Sequence, residues 1–549
     1  MLPRMSAIGS TTPLPHRRAT ALVLLVSLLV GLGACGDDAP HQGGGGYEGP
    51  PDERATTTRA EGGPDAAFIQ DRVTRTLFLT GAILGKHKPC GCTAPQVGGI
   101  ERLAGLVDIL EKRAEKGIAG LALGWNLANN YEAQQEAKGG LLRAAYAALG
   151  FKGVLLGGTD LREGAMTTPY ATDSGNPLDT PTPPINVVLP PRNPAKTTSP
   201  RLHMQVLDLK INAMAVLDKR EGDALTSEGV LIQALPPTAP FSGMLQPDPT
   251  SLWIVACRFD EKADVEALVA AVGRLGPAVI VDLSGVAGQE QVAPRAFGPG
   301  MEPLVVLIED KGKATGVLDF RTDAAGATTL SYRSIRLVPE LEERETPYRE
   351  EIADLIEYYK QDVREGEYLK DFPTIREPGR ATYVGSAMCA QCHAQIFRDW
   401  SQTPHASAIP TLEETHYEWD PECIRCHVVG WYRESGSGSW ARFQSGFQDV
   451  ERTPHLGGVG CENCHGPGSE HVRDPEAAPL FHPTGEDADG QWINKRCSKC
   501  HDADNSHGFL HNPESYLFRV NHGNVPSDRR TQVPADWKPA KPVVGDQGK

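Results

Sequence analysis

Between residues 67 and 340 the chain alternates short apolar runs with stretches whose apolar positions recur every three to four residues. The run 75–84 reads as a strand, and it precedes a helix over 100–116 in which Leu103, Leu106, Val107 and Leu110 share a face. A strand at 118–123, a helix over 133–149 and a strand at 153–156 continue the alternation. Further on, a helix over 261–275 leads into apolar runs at 278–283 and 304–308. Such alternation predicts a layered α/β domain. The antiparallel-looking stretches 201–218 and 313–338 make its sheet mixed, with two packed layers flanked by helices. Cys257, at the end of the apolar run 252–256, is expected to be a buried and inert thiol. Over 346–366 a charged helix carries Ile352, Leu355, Ile356 and Tyr359 on one stripe. It bridges the halves within a helical linker spanning 341–380. Beyond 381 the periodicity fades: 420–490 is rich in Gly, Ser and Pro, so this part needs something other than an ordinary apolar core.

The N-terminus reads as a targeting device. Arg17 and Arg18 precede an apolar run, 19–34, which is too short for a stable bilayer span of ~20 residues. The run ends Leu32-Gly33-Ala34-Cys35, which resembles the bacterial lipobox, in which the Cys after small residues becomes acylated. Residues 1–34 are then a lipoprotein signal peptide. Residues 35–66 hold four consecutive Gly and no apolar period, a flexible tether from the lipid membrane at Cys35. The Pro- and Lys-bearing tail at 526–549 is expected to be unpacked.

Net charge narrows the partners. Lys+Arg total 54 against 70 Asp+Glu, a net −16, which argues against nucleic acid as a partner.

The decisive signal lies in the cysteines. Eight of the 12 form four copies of C-x-x-C-H. The first is Cys389, Cys392 and His393; the second Cys423, Cys426 and His427. The third is Cys461, Cys464 and His465; the fourth Cys497, Cys500 and His501. A single C-x-x-C fits a redox pair or half a zinc site, whereas four copies each followed by His point to covalent c-type haem. On a helical turn the positions i, i+3 and i+4 share a face, so two thiols meet the vinyl groups while the imidazole meets the iron. Twelve of the 16 His lie between 381 and 525, and Met388 is the one Met there, set against Cys389. Since Met ligation raises haem potential, this supply predicts bis-His haems, or one open site, at low potential. The spare imidazoles are His405, His416, His455, His471, His482, His507, His511 and His522.

At these residues the chain resembles the tetrahaem cytochrome c-554 family. The matching segments are Tyr383-Val384-Gly385-Ser386, then Trp400-Ser401-Gln402-Thr403-Pro404-His405-Ala406, then Gly458-Val459-Gly460 followed by Cys461-Glu462-Asn463-Cys464-His465-Gly466-Pro467-Gly468-Ser469-Glu470-His471. The last are Cys497 to His501, Ser506 to Phe509 and Asn521-His522-Gly523. The resemblance implies four covalently bound haem c over 381–525. It implies that His405 caps the third haem, His471 the first and His522 the fourth, and that the second haem, at Cys423, Cys426 and His427, can have an open site. Trp400, Trp419, Trp431, Trp440 and Trp492 are read as core residues rather than haem-edge contacts.

The α/β half resembles 5′-nucleotidase-like metallophosphatases. The carrying segments are Lys88-Pro89-Cys90-Gly91-Cys92, Gly98-Gly99-Ile100-Glu101-Arg102 and Gly157-Gly158-Thr159-Asp160. A two-metal phosphatase needs Asp, His and Asn at strand ends. In those slots the chain has Thr80-Gly81-Ala82, Gly124-Trp125-Asn126, Gly158-Thr159-Asp160 and Ser284-Gly285, so the domain reads as degenerate. Asp160 and Asp282 stand isolated at strand ends. The run His87-x-x-Cys90-x-Cys92 is equally compatible with metal binding, a disulfide or contact with a haem edge.

The combined expectation is an extracytoplasmic (periplasmic), membrane-anchored electron-transfer protein rather than an enzyme, exchanging electrons with extracytoplasmic redox proteins. The alternatives are a reductase or oxidase of a small nitrogen species at an open-site haem, and a metal-dependent phosphohydrolase.

Overall fold

The computed structural model describes residues 62–520, apart from 90–95, 129–131, 164–184, 187–201, 228–245, 260–261, 286–290, 435–438, 477, 479, 481–495 and several positions after 502. The expected signal peptide and tail, Cys35, Cys90, Cys92, Trp492, His482, His507, His511 and His522 lie outside the described residues.

Among the described residues, twelve strands build two sheets in the α/β half. In chain order they are β1 (Arg75–Thr80), β2 (Ile118–Ala122), β3 (Phe151–Leu155), β4 (Ile185–Asn186), β5 (Leu202–Val206) and β6 (Leu209–Val216). Then come β7 (Leu252–Cys257), β8 (Ala278–Asp282), β9 (Gln291–Ala296), β10 (Leu304–Leu307), β11 (Ala314–Thr322) and β12 (Thr328–Arg336). The first sheet has seven strands in the order β4-β3-β2-β1-β11-β12-β9, and the second has five, β10-β8-β7-β6-β5. Both are mixed. β1 to β4 run parallel, while β11 pairs antiparallel with β1 and with β12; β5 and β6 form the antiparallel pair of the second sheet.

Parallel neighbours need a crossover long enough to return the chain. Helix α1 (Ile100–Arg113) supplies it between β1 and β2, and α2 (Glu132–Ala148) between β2 and β3. Helix α3 (Lys262–Val272) does the same between β7 and β8. The inner faces of the sheets interdigitate through Leu77, Leu79 and Leu121 on one side and Ile211, Ile254 and Val281 on the other. Each such side chain is worth ~1.5–3 kcal/mol when fully buried. Cys257 is fully buried with Trp253, Val255 and Leu268 on the far face of the second sheet, as its apolar run predicted.

The edge strand β9 was not legible. β9 is largely exposed and contains Pro294, and it forms only by pairing with β12 at the sheet edge, where a missing N–H is tolerated.

Helix α4 (Arg349–Glu365) buries the expected stripe, Ile352, Leu355, Ile356 and Tyr359, together with Val363. These residues belong to one cluster that contains Leu103, Leu106 and Leu141 of α1 and α2 and continues into Leu412, Tyr417, Ile424, Val428 and Trp431. The C-terminal part therefore shares a core with the outer helical layer. Within it, short helices α5 (Ser386–Cys389), α6 (Pro421–His427) and α7 (Cys461–His465) are separated by turns. A three-stranded sheet of Thr374–Ile375, Trp440–Phe443 and Trp431–Arg433 closes one side. Trp431 and Trp440 are buried in the shared core, and Trp431 meets Phe372 edge-on at 4.8 Å. No helix among the described residues is long and apolar enough to cross a membrane.

Candidate functional site

Each of the first three C-x-x-C-H motifs is coiled into a helical turn. α5 ends at Cys389, with the amides of Cys392 and His393 bonding back to the Cys389 carbonyl. α6 carries the whole second motif, and α7 the whole third. The α6 start follows from local sequence: Asp420 caps it by accepting from the Glu422 amide at 2.8 Å, and Pro421 occupies the first helical position, where no N–H is needed. At the fourth motif Cys497–Lys499 forms a 3-10 turn, closed by the His501 amide on the Cys497 carbonyl at 2.8 Å.

The motifs are brought together in pairs. The Cys389 and Cys461 thiols lie near enough to shift each other's ionisation, Cys389 upward and Cys461 down to about 7, which sets the first motif beside the third. Cys426 and Cys500 act on each other likewise across the second and fourth motifs, Cys500 pushed up and Cys426 down. The Cys461 amide donates to Ser386 Oγ at 3.1 Å. Buried Glu462 accepts from the amides of Gly385 and Gly468, both at 2.8 Å, and from that of Val384. Asn463 Nδ2 donates to the Val428 carbonyl at 2.9 Å, tying the third motif to the end of the second. All nine described cysteines are free of disulfides.

Two imidazole pairs stand out. The rings of His393 and His471 are 6.3 Å apart, centroid to centroid, with their planes at 14°. Those of His405 and His501 are 6.0 Å apart, at 57°. An iron bonded to one nitrogen of each ring, at about 2 Å per bond, would space the centroids by roughly 6 Å, so the residues of each pair would hold an iron between them. Nδ1 of His471 bonds the Ala478 carbonyl at 3.1 Å, and Nδ1 of His501 bonds Ser506 Oγ at 2.9 Å. His427 Nδ1 donates to the Ala408 carbonyl at 2.6 Å. Holding Nδ1 in this way fixes the ring and leaves Nε2 for a metal. Burial, then the neighbouring His501 and His427, pushes the His405 pKa down to about 4, which keeps the ring in the neutral form a metal requires.

His405 faces the His of the fourth motif. The Val459 amide holds the His405 carbonyl at 2.9 Å, and Trp400 Nε1 bonds the Val459 carbonyl at 3.0 Å. Those bonds tie the His405 loop to the segment leading into the third motif. His416 is exposed, with a backbone φ of 57°.

At the strand ends of the α/β half, Asp160 is fully buried and its carboxylate is fully occupied. It accepts from the amides of Asn126 (2.8 Å), Leu127 (3.0 Å) and Gly157 (3.0 Å) and from Asn126 Nδ2 (3.0 Å). Burial pushes its pKa up to about 7 against those bonds. Asp282 accepts the Ser284 amide at 2.9 Å. No group of three or more His, Cys, Asp or Glu among the described residues is arranged to hold a metal ion without haem.

Sequence reasoning missed a buried polar junction where this same strand edge meets α6. Glu422 pairs with Lys138 of α2 at 2.9 Å and with Lys86 at 3.2 Å. Burial opposes its charge, but those ammoniums hold the carboxyl well below its usual range. Asp420 accepts from Gln134 Nε2 at 2.8 Å and from the Tyr359 hydroxyl at 3.0 Å. His87 packs on Tyr359 at 4.6 Å, and burial drives its pKa down to about 3. Lys88 Nζ donates to Cys423 Sγ at 3.2 Å and lies 3.3 Å above the Tyr417 ring. The run Lys86-His87-Lys88 was the available signal, since three cationic or ionisable residues beside a strand end seek anionic partners.

The C-terminal site is thus a set of paired thiol and imidazole motifs of the kind that binds c-type haem. Residues 388–466 match the family model described as Cytochrome c554 and c-prime. Cytochrome c-554 of Nitrosomonas europaea is 27% identical over 146 residues, which is 22% of this chain and 58% of that protein. The chain therefore spans less than two thirds of that curated relative's length. Among solved structures, the 5′-nucleotidase precursor of Thermus thermophilus is similar at 17% identity and TM-score 0.35, over 53% of this chain and 59% of that one. The calcineurin-like phosphoesterase YfkN of Bacillus subtilis is similar at 12% identity and TM-score 0.36, over 54% and 99% respectively.

Proposed function

We propose that this protein is an extracytoplasmic, membrane-anchored c-type cytochrome that carries four covalent haems and passes electrons between redox partner proteins. The observation that carries the reading is the two imidazole pairs, His393 with His471 and His405 with His501, at 6.3 and 6.0 Å. Each joins a motif His to a His from elsewhere in the chain. A haem held in this way supplies one reversible electron per iron. The chain's own task is to fix the rings, exclude water and hold neighbouring sites close, and the bonds from Cys461 to Ser386 and from Asn463 to Val428 support that spacing. The purified holoprotein should show a mass corresponding to four haems, retained after acid-acetone extraction. A mass corresponding to fewer would remove at least one motif from the set.

The anchor is supported by the lipobox at Leu32-Gly33-Ala34-Cys35. Cys35→Ser should move the protein from the membrane to the soluble fraction on cell fractionation, because 36–66 has no other apolar anchor. A variant that stays on the membrane would overturn the acylation.

A further inference from the structure

We infer that the α/β half completes the second haem centre: Lys88 places a fixed positive charge at the edge of the haem on Cys423 and Cys426, and this charge raises that haem's reduction potential. The inference rests on the reading of the motif as a haem site and assigns the α/β half a role in it.

The placement follows from topology. In open α/β sheets, ligands gather outside the carboxyl ends of the strands. Here Lys86, His87 and Lys88 follow β1, and Gln134 and Lys138 belong to the helix that follows β2. Helix α6 lies against these residues, held by Glu422 and Asp420. The edge where this architecture usually binds a ligand is therefore occupied by the second motif itself.

Lys88 differs in role from its two neighbours. Lys86 and Lys138 are matched by Glu422, whereas the contacts of the Lys88 ammonium are a sulfur and an aromatic face. Cys423 Sγ is one of the two atoms that would bond the macrocycle, so the charge sits one sulfur away from it. Asp420 and Glu422 also face Cys423, so the Lys88 charge acts there beside two carboxylates, in surroundings too poor in water to screen it fully. Reduction adds one electron, delivered by a partner protein, and lowers the positive charge on the iron by one. A fixed cation nearby favours that product, so the potential rises.

The test is a spectroelectrochemical titration of the holoprotein. In Lys88→Met one haem should become harder to reduce by about 59 mV, a tenfold change in its one-electron equilibrium. Lys88→Arg should keep the wild-type value, and Lys152→Met, which removes the same charge from an exposed position on β3, should shift none. Haem content and the 423–427 haem peptide are measured alongside. Unmoved potentials in Lys88→Met with every haem present would overturn the role of the lysine. A wild-type 423–427 peptide without haem would instead overturn the haem reading on which it stands.

Discussion

Replacing His471 by Ala converts one low-spin haem of the holoprotein to high-spin, and replacing His405 by Ala converts a different one. In each case an imidazole that faces a motif His across roughly the width of an iron site is removed. Loss of that donor raises the potential of the affected haem. The two conversions should be distinguishable, because the ring planes lie at 14° in the His393 pair and 57° in the His501 pair, and imidazole orientation sets the iron's electronic splitting. Electron paramagnetic resonance and visible spectra of the two variants read this directly. His416→Ala, at an exposed position, is the control and leaves the spectrum unchanged. Spectra identical to wild type in both distal variants would return these two residues to a purely structural role.

The second large effect is on stability. Glu422→Leu strands the Lys138 ammonium, which has no exposed surface, and removes the Lys86 partner as well. Breaking a buried pair from one side costs about 3–5 kcal/mol, because the remaining charge has lost both water and its counter-ion. The denaturation midpoint of the Glu422→Leu protein should fall accordingly. Adding Lys138→Met to it should recover much of the loss, since an apolar pair of similar volume needs no compensation. If the double variant is no more stable than Glu422→Leu alone, the pair does not act as a unit.

These experiments probe two features of different origin. Local periodicity accounts for α1, α2 and α4 to within a few residues, and for the buried stripe Ile352, Leu355, Ile356 and Tyr359. The antiparallel stretches 201–218 and 313–338 became β5/β6 and β11/β12 for the same reason: alternation and a short turn are properties of neighbouring residues. β9 escaped because an edge strand with an exposed, polar face is made by its partner's backbone rather than by its own side chains.

The same division runs through the site. Adjacent residues suffice to specify the four C-x-x-C-H motifs, since two thiols and an imidazole must sit within one helical turn to meet one macrocycle. Which imidazole faces which motif depends instead on the fold as a whole. His405 and His501 are far apart in the chain and meet only in the folded protein, where the Val459 amide and carbonyl hold the His405 loop. The junction of Lys86, Lys88 and Lys138 with Asp420 and Glu422 is of the same kind. Each of those residues looks like an ordinary surface charge until the sheet edge and α6 close over them. Burial and pairing are properties of two distant segments at once, and no local pattern encodes them.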